Sequence, residues 1–383
     1  MLRILFVLPG LPLSNGSGGL LRSYQIYREL QEFAVVDVLS ADHGLIPDNI
    51  IQEFKKENRY LGRIIVPAGI PYERQNNQLH KAIQKLTELE NYDLVIGRYY
   101  GAAFALGLFA LPNFILDCDD CILEILWQRY CDPQAIKGKD KNATNILKKN
   151  YQIAEKLYLE NLAKAKICLF AKKSNRYSWS ENFRVYYNRI PFHEPIACDE
   201  LNPQPLKILF IGSLGYRPNY EGLDYFLKNI WPSVLAINSC VTLKIVGGGL
   251  PKEFSRRWSR IRNLEMCGFV ENIIDAYSDC SFSISPIYLG SGTHMKVLES
   301  LMFGLTMVIS PMSHRGYEDT LRHGEELFVA KNNEAFANFI IELINSPEKR
   351  KQMSLQGREK VLRNFTMDES SNFFKSLAIS HFQ

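Results

Sequence analysis

The stretch from Ile284 to Gly304 reads as a short apolar strand that breaks at Pro286. A loop of small residues follows (Gly290, Ser291, Gly292, Thr293), then an apolar-periodic helix that stops at Gly304. The same succession of strand, loop and helix recurs along the chain. Strands that alternate with helices pair in parallel and are covered by helices on both faces. No other feature narrows the fold as far, and in such sheets ligands bind at the carboxyl ends of strands. Glycines there let the backbone approach closely, and the free amides at the helix start favour an anionic group such as a phosphate. Met295, Leu298, Met302 and Phe303 read as core. Glu299 lies beside them, where a carboxylate suits the paired hydroxyls of a ribose or sugar. The alternative is a solvated Glu299 behind glycines that only make a turn, because a Gly-rich loop before a helix is a weak motif.

A chain of 383 residues points to two domains, since one core rarely grows past ~250–300 residues. With 46% apolar and 22% charged residues the composition is that of a globular protein. A net charge of +4 is too small to argue for nucleic acid. The eight cysteines are scattered and need no disulfide framework, so reduced cytoplasmic thiols are expected. Cys118-Asp-Asp-Cys121 lacks a second pair at zinc spacing, and acidic neighbours weaken thiols as nucleophiles. Leu2–Leu8 is short and interrupted by Pro9 and Pro12, so it reads as a buried strand and not a leader. No run reaches the ~20 apolar residues that span a bilayer. These readings place the protein in the cytoplasm.

In the first half, strands are expected at Leu2–Leu8, Val35–Leu39, Arg63–Val66, Leu94–Ile96, Phe114–Leu116 and Ile167–Phe170, with helices such as Asn77–Glu90 between them. The loop after the first strand lacks a dinucleotide fingerprint; Ser14-Asn-Gly-Ser-Gly18-Gly19 comes several residues late. It still opens a helix and can close over a diphosphate or a sugar. Arg22, in the first helical turn, either points into that space or lies on the surface. Arg98 follows a strand in the analogous place. Asp117, Asp119 and Asp120 end another strand, as a general base, as hydroxyl ligands, or as an acidic helix start favoured by the dipole. Lysines are dense from Lys137 to Lys173, with Tyr151, Leu157, Tyr158 and Leu162 at helical spacing. That pattern is either a basic face for anionic lipid or a solvated one.

Asn202-Pro-Gln-Pro205 reads as a linker, dividing the chain into residues 1–202 and 203–365, with a helix over 366–383 crossing back to the first domain. Strands are expected at Lys207–Gly212, Thr242–Val246, Leu264–Cys267, Phe282–Ser285 and Thr306–Ile309. Two such doubly wound domains facing each other enclose a cleft, the usual place for a ligand.

The run Phe210-Ile-Gly-Ser-Leu-Gly-Tyr-Arg-Pro-Asn219 resembles the donor-binding domain of the group 1 (family 4) retaining glycosyltransferases, which have the GT-B fold. Leu243–Gly247, Gly268-Phe-Val270, Pro286 through Glu299 and Phe303–Val308 follow in that family's order, and Tyr186–Phe192 is also similar. The resemblance implies that Gly212, Ser213 and Gly290 through Thr293 hold a donor diphosphate. It implies that Glu299 binds the ribose and that backbone at Gly268 to Val270 packs on the base. Arg217, the nearest match to the family's phosphate-neutralising residue, and Lys296 are the cation candidates. The family motif has two Glu residues, the first of which falls here on Ser291, so the chain resembles a variant branch. A histidine usual in the first domain is missing, and Asp119 or Asp120 stands near its place. The implied reaction moves a sugar from a UDP- or GDP-sugar to an acceptor hydroxyl, with retention and without a metal. Gly18 and Gly19 are expected on the donor, Arg22 and Arg98 on the side of a glycan, lipid-linked or small-molecule acceptor. The competing readings are a non-catalytic nucleotide-sugar-binding subunit and a sugar-nucleotide epimerase.

Overall fold

The computed structural model describes residues 1–13, 18–42, 46–65, 77–131, 140–173, 180–191, 194, 206–367 and 372–382. The chain forms two compact units, Met1–Arg189 with Glu369–Gln383, and Ile190–Asp368. The linker reading at 202–205, Lys137, Lys139 and Phe192 lie outside the described residues.

The first unit is built on a seven-stranded, wholly parallel sheet in the order β3-β2-β1-β4-β5-β6-β7. Its strands are β1 (Leu2–Leu8), β2 (Ala34–Asp42), β3 (Tyr60–Ile65), β4 (Leu94–Arg98), β5 (Phe114–Asp119), β6 (Ile167–Phe170) and β7 (Phe183–Val185). The unbroken apolar run of β1 follows from burial on both faces. Ile4, Phe6 and Leu8 enter one core while Leu5 and Val7 enter the other. The helix Phe373–Phe382 packs here: Phe374 lies 5.1 Å from the Tyr186 ring, and its amide donates to Glu29 at 2.9 Å.

The second unit holds a six-stranded parallel sheet in the order β10-β9-β8-β11-β12-β13. Here β8 is Lys207–Ile211, β9 Thr242–Val246, β10 Leu264–Gly268, β11 Phe282–Ser285, β12 Met307–Ile309 and β13 Phe328–Val329. Both units are doubly wound, as the alternation of patterns predicts. Two strands escape the sequence pattern, β7 and β13. Each lies at a sheet edge and is only two or three residues long, and β7 is half-exposed, so no apolar run announces it.

The strand order reverses between β1 and β4 in the first sheet and between β8 and β11 in the second. A crevice opens at such a switch point, beyond the carboxyl ends of the strands. The residues that leave β8 and β11 are therefore the first to inspect for a ligand.

Candidate active site

Gly212 follows β8 with φ +152°, and Gly247 follows β9 with φ +144°. A Cβ on Gly247 would run into the Gly212 carbonyl, so glycine lets the two strand ends close on each other. Leu214 completes the seam by donating to the Gly248 carbonyl at 2.8 Å.

A Cβ on Gly212 would lie 2.6 Å from Lys296 Nζ and 3.0 Å from Asn219 Nδ2. The ammonium of Lys296 thus comes from the helix Met295–Met302, behind the glycine loop, to the end of β8. Nζ donates to Asn219 Oδ1 at 2.9 Å and sits 4.5 Å from the centre of the Phe210 ring. Burial pulls its pKa down to about 7, against the opposing pull of the Glu299 carboxylate. Glu299 lies one turn further along that helix. Burial raises its pKa, while Lys296 and Tyr277 act to lower it. The Tyr277 hydroxyl is 3.5 Å from Glu299 Oε2, and its ring stacks on Phe303 at 4.4 Å. Met295, Leu298, Met302 and Phe303 are buried, as their periodicity predicts.

The loop between β11 and this helix is braced from below. Ser310 Oγ donates to the Ile287 carbonyl, Ser313 Oγ donates to Ser285 O at 2.9 Å, and the Ser285 and Ser313 hydroxyls lie 2.8 Å apart. Ser291 is buried, whereas Gly292 and Thr293 are partly exposed just before the helix. Gly290 has φ +120° and lies near the Tyr216 hydroxyl. Gly268 has φ +71° with open space beyond its Cα, next to a Phe269 that is 78% exposed and a half-buried Val270.

The second unit thus brings Gly212, Ser213, Lys296 and Glu299 to one switch point. The Arg217 side chain is 71% exposed and bonded to Glu221 at 2.7 Å. Asn219 and Tyr277 received no role from the sequence. Asn219 is a buried amide in the first turn of the helix Arg217–Asn229, where exposed polar residues are the rule, so the sequence carries no signal for it.

At the first unit's switch point the charges face each other. Arg22 is fully buried and donates to Asp117, to the Tyr186 carbonyl at 2.6 Å and to Asn188 Oδ1 at 2.7 Å. Arg98 is also buried. It donates to Asp117 at 2.7 Å, to Asp119 at 2.9 Å, and to the Gly19 carbonyl. Burial alone would raise the Asp117 carboxyl, but Arg22 and Arg98 hold it below the usual range. Arg22 is therefore no surface side chain, and both arginines serve the ionic lattice that ties helix Gly18–Gln31 to β4 and β5. Tyr99 and Asp119 follow in left-handed backbone at φ +63° and +56°. Gly18 and Gly19 open that helix beside the Tyr99 hydroxyl, and Ser14 to Ser17 lie outside the described residues. Asp120 is partly exposed. Loss of hydration and then the Asp119 carboxylate push its pKa up to about 7.

The remaining sequence candidates resolve simply. The seven described cysteines form no disulfide with one another, and burial raises the Cys118 thiol well above its ordinary value. Among the described residues, no group of three or more His, Cys, Asp or Glu is placed to hold a metal ion. None of the described helices is long and apolar enough to cross a membrane. The helix Lys141–Leu162 buries Tyr151, Tyr158 and Leu162 and exposes Ile146 and Ile153 among its lysines. Lys172 leaves that basic set, being buried 3.3 Å from Glu124.

Residues 205–346 match the family model described as glycosyl transferases group 1. A sucrose-phosphate synthase from Thermosynechococcus elongatus superposes with a TM-score of 0.73 at 17% identity, covering 100% of this chain and 99% of that one. HepE from Anabaena, solved in complex with UDP and glucose, gives 0.69 at 15% identity over 99% and 100%. An uncharacterized 44.6 kDa protein in the cps region of Klebsiella pneumoniae is 24% identical over 197 residues. The chain spans about half the length of that relative, 50% of each being covered. The fold is GT-B.

Proposed function

We propose, for a GT-B chain that carries a group 1 glycosyltransferase domain, that it moves a sugar from a nucleoside diphosphate sugar to an acceptor hydroxyl with retention. The observation that carries this reading is the meeting of Gly212, Lys296 and Glu299 at the switch point of the second sheet. In the reaction the bond from the anomeric carbon to the diphosphate oxygen breaks. A bond from that carbon to the acceptor oxygen forms, and the acceptor proton leaves to a base. The growing charge on the diphosphate falls to the Lys296 ammonium and the amides at Gly292 and Thr293; one such donor typically contributes ~2.7–4 kcal/mol. These groups supply the charge without a resident metal, and Glu299 takes the ribose hydroxyls. Backbone from Gly268 to Val270 packs on the base, and the UDP held by HepE favours uracil as that base. On the acceptor side Asp120 is the proton acceptor, because a carboxyl that titrates near 7 is matched to that task. The acceptor is a glycan, a lipid-linked sugar or a small molecule.

The test is incubation with radiolabelled UDP- and GDP-sugars, with product configuration read by NMR. Transfer or slow donor hydrolysis supports the reading. Binding without turnover points to a non-catalytic subunit, and interconversion of sugars to an epimerase. Glu299→Ala is expected to abolish nucleotide binding while the fold persists; unchanged affinity overturns the site assignment.

A further inference from the structure

We propose that Asn219 is a positioning residue for the donor diphosphate, holding the Lys296 ammonium against the open side of Gly212. The inference rests on the donor reading above. Both ends of the Asn219 amide are committed: Oδ1 accepts from Lys296 Nζ at 2.9 Å, and Nδ2 donates to the Ser213 carbonyl at 2.8 Å. The ammonium cannot pair with the NH2 end, nor a carbonyl with the oxygen end, so the amide has one orientation. The side chain is only 7% exposed, and the Phe210 ring, 4.5 Å away, supports the cation.

The residue type matters as much as the contact. A neutral oxygen orients the ammonium without offsetting its charge toward an anion, whereas a carboxylate in its place would cancel it. One of the three ammonium N–H groups is taken by Asn219. Gly212 presents no side chain in the space the ammonium occupies. The cation therefore reaches the switch point from the helix behind the glycine loop, while Arg217, at the start of the helix that follows β8, is bonded to Glu221. The sequence offers both Arg217 and Lys296 as the cation, but it cannot pair Lys296 with Asn219, 77 residues away.

The experiment is a double-mutant cycle read by calorimetric binding of UDP and of GDP, with melting curves as the control for folding. Asn219→Ala is expected to weaken the tighter nucleotide about tenfold or more, the scale of one hydrogen bond to a charged group. Lys296→Met should weaken it at least as much. Adding Asn219→Ala to Lys296→Met should cost nothing further, because a residue that acts through another has no effect once the other is gone. Asn219→Asp, of the same size, should also weaken binding by cancelling the charge, and it carries the test if the alanine variant does not fold. Additive losses, or unchanged affinity in Asn219→Asp, overturn the proposal while leaving the donor site standing. Wild-type protein that binds neither nucleotide overturns the donor reading and this inference together.

Discussion

Lys296 carries a consequence for pH, because a lysine held near pKa 7 is half neutral at physiological pH. The charged group that faces it is Glu299, and the neutral partner is Asn219. A bound diphosphate raises the ammonium pKa, so binding takes up a proton above pH 7. Affinity should then be flat below about pH 7 and fall up to tenfold per pH unit above it. UDP-glucose is the probe to use, since its fully esterified diphosphate has no ionisation between pH 6 and 8.5. Calorimetry over that range should show the slope in the wild type and none in Lys296→Met. The same group makes folding stability rise with pH between about 7 and 10.5, where the unfolded chain holds the extra proton. Asp117 is the second residue with a large expected effect. It balances Arg22 and Arg98, all three buried, so Asp117→Asn should destabilise the first unit by roughly 3–5 kcal/mol in urea unfolding. Asp120→Asn should change stability far less, since its carboxyl is already partly protonated near neutrality.

Among the elements, helix Phe373–Phe382 is one whose removal should be felt in the core of the first unit. Phe374 is 1% exposed and packs on Tyr186, so Phe374→Ala should cost about 3–5 kcal/mol. Thermal unfolding followed by limited proteolysis should show peptides of the first unit released early, with those of the second unit retained. The helix Lys141–Leu162 makes a different prediction. Ile146 and Ile153 are 60% and 51% exposed, seven residues apart and so on one face, beside Lys149 and Lys156. Flotation with vesicles containing anionic phospholipid should recover the protein, and replacing those two lysines by Glu should release it. Recovery with neither anionic nor neutral vesicles would assign the face to solvent.

For the molecule as a whole, both sheets were legible because parallel strands buried on two faces must be apolar throughout. Leu2–Leu8, Ile167–Phe170, Thr242–Val246 and Phe282–Ser285 stand where their apolar runs begin and end. The short edge strands β7 and β13 were not, for want of such a run. The glycine loop and Glu299 could be found because each follows a strand within one local unit. The partners of Lys296 could not, nor could the lattice around Asp117, whose members lie 19 and 95 residues apart. Only the sheet order brings such residues to one edge.

The first unit is also discontinuous, closed by a segment that the chain supplies only after the whole of Ile190–Asp368. On the ribosome its seven strands therefore emerge first but must wait with part of their apolar surface uncovered. Phe374 and Leu377 arrive last to seal it. Maturation of the earlier-made part is thus timed by synthesis of the second unit, and chains stalled within that unit should be the ones that chaperones and proteases capture.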